Sequence, residues 1–192
     1  MSLLLIRHGE TALNAARVLQ PAGTPLSPVG LQQARAVAQR LRDSGAAALL
    51  SSDLPRALQT AQAIAEATGL PLRTSALLHE RNFGDWRGQP YDTLGFDPLR
   101  EDLVPPAGES QADLERRCKE AWQFVRTLRA GLPGPLIVVS HGLVIRQWLP
   151  ERPTIANTAL TILGAELPHA VELLNCTRHL DGALGGRAAA AA

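Results

Sequence analysis

Cysteine is nearly absent from this chain: Cys118 and Cys176 are the only two among 192 residues. Two thiols make no disulfide framework at this size, and they lack the spacing of a metal site. Both read as packing residues, with a reducing, cytoplasmic compartment as the expectation. No run of about 18 apolar residues occurs, so no membrane-spanning helix is expected. Nor does the N-terminus carry a basic stretch, an apolar core and a small-residue cleavage site. Charge of one sign is missing too. Lys+Arg 19 against Asp+Glu 18 leaves a net +1, with no overall field for nucleic acid or anionic lipid. Aromatics make up 4%, too few for a base-stacking face. What the chain has is apolar residue, 45% of it, enough to bury one proper core. One domain over residues 1–182 is the expectation, followed by a flexible tail, 183–192, rich in alanine.

Leu3-Leu4-Leu5-Ile6 is apolar without alternation, the pattern of a strand buried on both faces, and it runs into Arg7-His8-Gly9-Glu10-Thr11. Ser27 and Pro28 open a helix, the serine as cap and the proline in the first turn. Leu31, Ala34, Val37, Ala38 and Leu41 give that helix one apolar face before Gly45. Ala46 to Leu50 supplies a second strand. Ser51-Ser52-Asp53-Leu54-Pro55 repeats the cap-and-proline logic, and a helix continues through Leu58, Ala61 and Ala65 to Gly69. Leu70 to Thr74 makes a third strand. Strand, helix, strand, helix, strand implies parallel pairing with right-handed crossovers.

The segment 88–109 breaks this pattern with four prolines and three glycines, as a functional insertion does. Ser110 and Asp113 form a capping box for a helix reaching Leu128 or Ala130. Leu136 to Ser140 is the second strongly buried strand, followed by His141-Gly142. Weaker strands fall at Ala159 to Leu163 and Ala170 to Leu174. The expected architecture is α/β: a three-layer α/β/α sandwich on a mostly parallel sheet with a short cap.

Two buried strands thus each end in a His-Gly step, His8-Gly9 and His141-Gly142. A parallel sheet can bring both to one rim, the end of the strands where ligands sit in open α/β sheets. Arg7 brings a fixed cation shaped for phosphate or carboxylate oxygens. Arg56 lies just inside the helix after Ser51-Ser52-Asp53, where backbone N–H groups already favour an anion. An imidazole, a second imidazole and two guanidiniums around one point suit an anionic substrate.

With these residues in view the chain resembles the histidine phosphatase superfamily, the phosphoglycerate-mutase-like group. The resemblance runs from Arg7-His8-Gly9-Glu10-Thr11 through Asn14, Gln20, Pro25-Leu26-Ser27, Gly30 and Gln32-Gln33-Ala34. It continues with Ser51-Ser52-Asp53-Leu54, Arg56-Ala57 and Gln59-Thr60-Ala61, then Glu80, Gly84, Trp86, Gly88 and Gly108-Glu109-Ser110. It closes on Val139-Ser140-His141-Gly142, Asn157, Leu174-Asn175 and His179-Leu180. Pro21 stands where such proteins usually carry glycine after Gln20, and Thr24 where they carry aspartate.

The resemblance implies a phosphoryl-transfer enzyme without metal or cofactor, acting on a small phosphorylated substrate. His8 is the expected nucleophile, forming a phosphohistidine, with Glu80 as proton donor and His141 as a further catalytic group. Arg7, Arg56 and His141 are expected to surround the phosphoryl oxygens, each contact stabilising the transition state by about 2–4 kcal/mol. Asn14, Gln20 and Gly142 are expected on the substrate. Burial beside Leu77, Leu78 and Phe83 is expected to keep Glu80 protonated. Trp86 is placed either on the pocket wall or in packing. His79, His169 and His179 read as surface or packing residues, and Glu10 as a structural partner. A homodimer is compatible with the resemblance, although no exposed stripe dictates one.

Water and an organic acceptor are the two fates open to the phosphoryl group. A mutase has to exclude water and hold a second acidic group with extra cations. The segment 88–109 instead carries Asp92, Asp97, Glu101, Asp102 and Glu109 against Arg100 alone, and it is short. Hydrolysis of a monoester is therefore the preferred expectation, with mutase-type transfer and a noncatalytic phospho-ligand module as alternatives. Tyr91, Leu94, Phe96, Leu99, Leu103 and Val104 suggest a leaving group without strong negative charge: sugar-like, amine-bearing or aromatic.

Overall fold

The computed structural model describes residues 2–100, 102–164 and 170–182. Glu101, His169 and the alanine-rich tail lie outside the described residues. Six strands form one sheet: β1 (Leu3–Arg7), β2 (Ala48–Ser51), β3 (Leu72–Thr74), β4 (Leu136–Ser140), β5 (Leu160–Leu163) and β6 (Val171–Cys176), in the order β3-β2-β4-β1-β5-β6. β1, β2, β3 and β4 pair in parallel, whereas β5 and β6 run antiparallel at one edge. The sheet is thus mostly parallel, as expected. One difference is that β4 inserts between β1 and β2, so the first two strands are not neighbours.

Unbroken apolarity of β1 and β4 has its reason in the two cores. Leu3, Leu5, Leu136 and Val138 point to one face, against Ala121 and Val125 of α4 (Gln111–Ala130) and Ile145 of α5 (Gly142–Gln147). Leu4, Ile6, Ile137 and Val139 point to the other face. There they meet Val37, Ala38 and Leu41 of α2 (Pro28–Leu41), with Ala57, Ala61 and Ile64 of α3 (Pro55–Thr68). Alternate residues of a strand point to opposite faces, so a strand covered on both sides must be apolar throughout. A short α1 (Ala12–Ala15) precedes α2.

Helix boundaries follow the local signals. Ser27 accepts from Gly30 N–H with Pro28 first in α2, and Ser110 and Asp113 form the capping box of α4. Two readings need correction. Leu31 is exposed; α2 instead buries Gly30 and Gln33 beside the expected residues, because the helix packs on the loop after β1. The N-cap of α3 is Leu54, without a side-chain bond, since Asp53 pairs with His79 and Ser52 with His141.

The loop after β1 touches α2 with no space for a side chain on either side. A Cβ on Gly30 would lie 1.9 Å from Glu10 O, and one on Gly9 would lie 2.6 Å from Gly30 O. Gln33 Oε1 accepts from Glu10 N–H, and Ser27 Oγ donates to the Glu10 carboxylate, so Glu10 is a structural partner as expected. Gly30→Ala is expected to lower stability by about 1–3 kcal/mol, the cost of overpacking a fitted contact. Thermal or urea unfolding reads this directly.

His179 takes the packing role. Arg40 Nη1 donates to its Nδ1 at 3.2 Å, so the Nε2–H is left to donate to Thr158 Oγ1. Burial and Arg40 hold its pKa down to about 4. The unfolded chain therefore binds this proton first, and stability is lost as pH falls from about 6.5 towards 4. His179→Gln keeps one acceptor and one donor, and is expected to flatten that fall in melting temperature between those two values.

Candidate active site

Register explains why the two histidines meet. In the β1–β4 pair Arg7 lies opposite Ser140, so the next residues, His8 and His141, leave the sheet side by side. Their ring centroids are 5.1 Å apart. β2 lies on the other side of β4 with Ser51 opposite Val139, which delivers Ser52 beside His141. The first turn of α3 then brings Arg56, whose side chain is 2% exposed.

The protonation of His8 is fixed by one contact. Its Nδ1 is 2.7 Å from Gly9 O, and a carbonyl can only accept, so Nδ1 carries the hydrogen and Nε2 carries a free lone pair. Burial, followed by Arg56 and Arg7, holds His8 well below the usual imidazole range. Asn157 Nδ2 donates to His8 O, and Gly9 N–H donates to Thr60 Oγ1, which pins the backbone on both sides.

His141 is fully buried behind that ring and off the cavity wall. Ser52 Oγ stands 2.9 Å from its Nε2 and also accepts from Leu54 N–H. Among the described residues the Ser52 hydroxyl has no other acceptor for its hydrogen, so it donates to Nε2, which places the His141 proton on Nδ1. That atom has no partner, and neither do the buried Nε atoms of Arg7 and Arg56. A buried donor without an acceptor costs about 1–3 kcal/mol, and the two guanidinium nitrogens belong to residues on one cavity wall, where a bound anion would relieve that cost and make the wall an anion cradle. Burial brings Arg56 down to about 10, still charged at neutral pH.

Glu80 reaches this cradle from the loop after β3. Its Oε1 accepts from Arg81 N–H and its Oε2 from Leu143 N–H at the start of α5. Burial nevertheless raises its pKa above the ordinary value, outweighing those bonds and the pull of Arg56 and Arg7. The loop is held by a residue that sequence reasoning missed. Arg117 of α4 donates to Leu77 O and His79 O and pairs with Glu109 through two bonds of 2.8 Å. A surface-like arginine in a polar helix gives no signal of this role.

A cavity of about 330 Å³ opens in front of Arg7, His8, Arg56 and Glu80, with Asn14, Gln20 and Gly142 on its wall. Asn14 Oδ1 accepts from Thr11 N–H and Gln20 Oε1 from Thr11 Oγ1, so both amide NH2 groups are available to a ligand. Gly142 lies close enough to Arg7 that an added Cβ would be 3.5 Å from its Nε. Every sequence-derived site residue except His141 therefore reaches the cavity itself.

The cap behaves differently from the expectation. Of its apolar residues only Tyr91 and Leu99 reach the wall; Phe96 packs on Trp86, which is thereby in packing, and Val104 is exposed. Of its described acids only Asp97 faces the cavity. Glu109 is spent on Arg117 and Asp102 on Arg100. Three further arginines line the wall, all missed: Arg17, Arg81 and Arg146. They come from the turn after α1, the Glu80 loop and α5, elements with no sequence signal of convergence. Among the described residues no group of three or more His, Cys, Asp and Glu could hold a metal ion, and no helix is long and apolar enough to cross a membrane.

Comparison with known proteins agrees with this geometry. The model of the histidine phosphatase superfamily (branch 1) matches residues 3–171. A probable phosphoglycerate mutase GpmB of Yersinia pestis (strain Pestoides F) is 40% identical over 155 residues, covering 76% of this chain and 71% of that protein. Among solved structures, a mycobacterial glucosyl-3-phosphoglycerate phosphatase superposes with a TM-score of 0.80 at 26% identity, covering 91% of this chain and 99% of the other. A mutant phosphoserine phosphatase from Entamoeba histolytica, in complex with phosphoserine, gives 0.78 at 28%, covering 93% and 98%.

Proposed function

Because the chain belongs to the histidine phosphatase superfamily, branch 1, we propose that it hydrolyses small phosphate monoesters through a phosphohistidine on His8. The observation that carries this reading is the pair of unpartnered buried donors, Arg7 Nε and Arg56 Nε, on the same cavity wall as an imidazole whose Nε2 holds a free lone pair. In the first step His8 Nε2 attacks phosphorus, the bond to the ester oxygen breaks, and Glu80 gives its proton to the departing alkoxide. In the second step water attacks the same phosphorus, Glu80 takes the proton of that water, and the P–N bond breaks to release phosphate. Charge builds on the phosphoryl oxygens in both steps, where fixed donors stabilise it most.

Transfer to an organic acceptor is the second reading, favoured by the mutase name of the 40% identical relative. The short cap and the phosphatase names of the solved relatives support water as the acceptor. The two separate in ¹⁸O-labelled water. Hydrolysis puts one label into each inorganic phosphate released from a monoester. Net interconversion of 2- and 3-phosphoglycerate without phosphate release would overturn the proposal in favour of transfer.

A further inference from the structure

Resting on the phosphatase reading, we propose that Asn175 is a positioning residue: it fixes the carbonyl that holds the Arg7 guanidinium, and so sets the affinity of the site for a phosphoryl group. Asn175 belongs to the Leu174-Asn175 pair of the family resemblance, yet it lies off the cavity wall, on β6 at the edge of the sheet. The β5–β6 ladder shows why its side chain points where it does. Leu160 pairs with Cys176 and Ile162 with Leu173, so Thr161 alone faces both Leu174 and Asn175. That is a bulge, the device by which a strand re-aims a side chain. Asn175 stands there in the left-handed region at φ +50°, which asparagine tolerates better than most residues, and its N–H donates to Thr161 Oγ1.

Re-aimed in this way, the amide grips the loop between α5 and β5 at two points. Its Oδ1 accepts from Ala156 N–H at 2.8 Å and its Nδ2 donates to Thr154 O at 3.1 Å. Between those two residues stands the buried Ile155, whose carbonyl accepts from Arg7 Nη1. Among the described residues this is the only hydrogen-bond acceptor of the Arg7 guanidinium, whose buried Nε is left for a ligand. The loop needs such a clamp. Glu151, Arg152 and Thr158 stand at φ +61°, +42° and +53°, conformations that persist only where contacts over-determine them. Glu115 holds Arg152, Arg7 O holds Thr158 N–H, and Asn175 holds the stretch between. An Ile155 carbonyl free to rotate would let the guanidinium drift, and a misplacement of about 1 Å at such a site costs on the order of 10²-fold.

The test uses Asn175→Gly, because glycine accepts the left-handed backbone and removes only the amide. Calorimetry with inorganic phosphate is expected to show binding weakened roughly 10-fold or more, the lower end of what a charge-assisted hydrogen bond carries. In ¹⁵N-labelled protein the Arg7 Nε–H resonance, identified by its loss in Arg7→Gln, is expected to shift or broaden. A role in the bulge alone would lower the melting temperature and move neither readout. Native affinity in Asn175→Gly overturns the proposal, and so does weakened binding with the Arg7 resonance unmoved. If the glycine variant does not fold, Asn175→Asp keeps the backbone preference and the Oδ1 acceptor. The same two readouts then decide, with an expected loss of roughly 3- to 10-fold, the scale of one neutral hydrogen bond. Release of phosphate from p-nitrophenyl phosphate by the unmodified protein is measured alongside. No release, with both changes seen in the variant, sinks the phosphatase reading alone; release with neither change sinks the positioning role alone.

Discussion

His8→Ala is expected to lower turnover of a phosphate monoester by roughly 10⁴-fold or more, the scale seen when a covalent nucleophile is lost. Acid-quenched enzyme should carry a labile phosphoryl label, and the variant should carry none. The physical reason lies in how many independent features converge on that single ring. Gly9 O holds the Nδ1 hydrogen, burial with Arg56 and Arg7 keeps the ring neutral, and the neighbouring His141 closes off one side. Among the described residues no other group on the cavity wall combines a free lone pair with this surround. Asn14 and Gln20 present amides, and the remaining basic groups are guanidiniums, which do not give up their protons at neutral pH. A variant that retained both turnover and label would place the chemistry elsewhere.

Glu80→Gln is expected to cost about 10²- to 10⁴-fold in turnover of an alkyl phosphate, the range of general acid–base help. The loss should be much smaller for formation of the phosphoenzyme from p-nitrophenyl phosphate, whose leaving group departs without a proton. Its breakdown still needs a base for water. The variant is therefore expected to show a burst of p-nitrophenol followed by a slow steady rate. The pH profile follows from the same two groups. Phosphorylation needs neutral His8, so it fails only when pH drops into that ring's lowered range, well under the usual imidazole value. It also needs protonated Glu80, so it falls as pH rises through that carboxyl's raised pKa. The active window lies between the two, and the limb on the alkaline side should vanish in Glu80→Gln. An alkaline limb unchanged by the substitution would assign the proton to another group.

Stability on the acid side obeys the same logic. His8 and His141 are buried neutral, both well below the usual range, with desolvation the leading cause and Arg56 next. Each is protonated in the unfolded chain before it is in the folded one, so acid weakens the fold at the place where the candidate site is built.

How much was legible from residues alone differs by element. β1 and β4 were readable because a strand covered on both faces has to be apolar at every position. The starts of α2 and α4 were readable because the serine and proline that satisfy the first turn act locally. At α3 the early proline was read correctly and only the side-chain cap was misread, for a complementary reason. Ser52 and Asp53 have the right chemistry for a cap, but His141 and His79, distant in sequence, offered them better partners. Leu31 failed at the first turn alone: Ala34, Val37, Ala38 and Leu41 are buried as helical spacing puts them, but at the glycine-tight approach to the loop after β1 it is Gly30 and Gln33 that are buried instead.

While the adjacency of their strands came from the fold, the sequence by itself determined that two imidazoles would leave the ends of buried strands, with a guanidinium before the first and another just inside a helix. Those are short-range facts, written in contiguous residues whose local geometry leaves few choices. Only the tertiary structure decided that the turn after α1, the Glu80 loop and α5 each turn an arginine into one cavity, that most of the cap's described acids turn away from it, and that Arg117 clamps the loop carrying Glu80. Such placements depend on how separately stable elements pack over long separations, where a charged residue on a polar surface looks the same whether solvent or a ligand will face it.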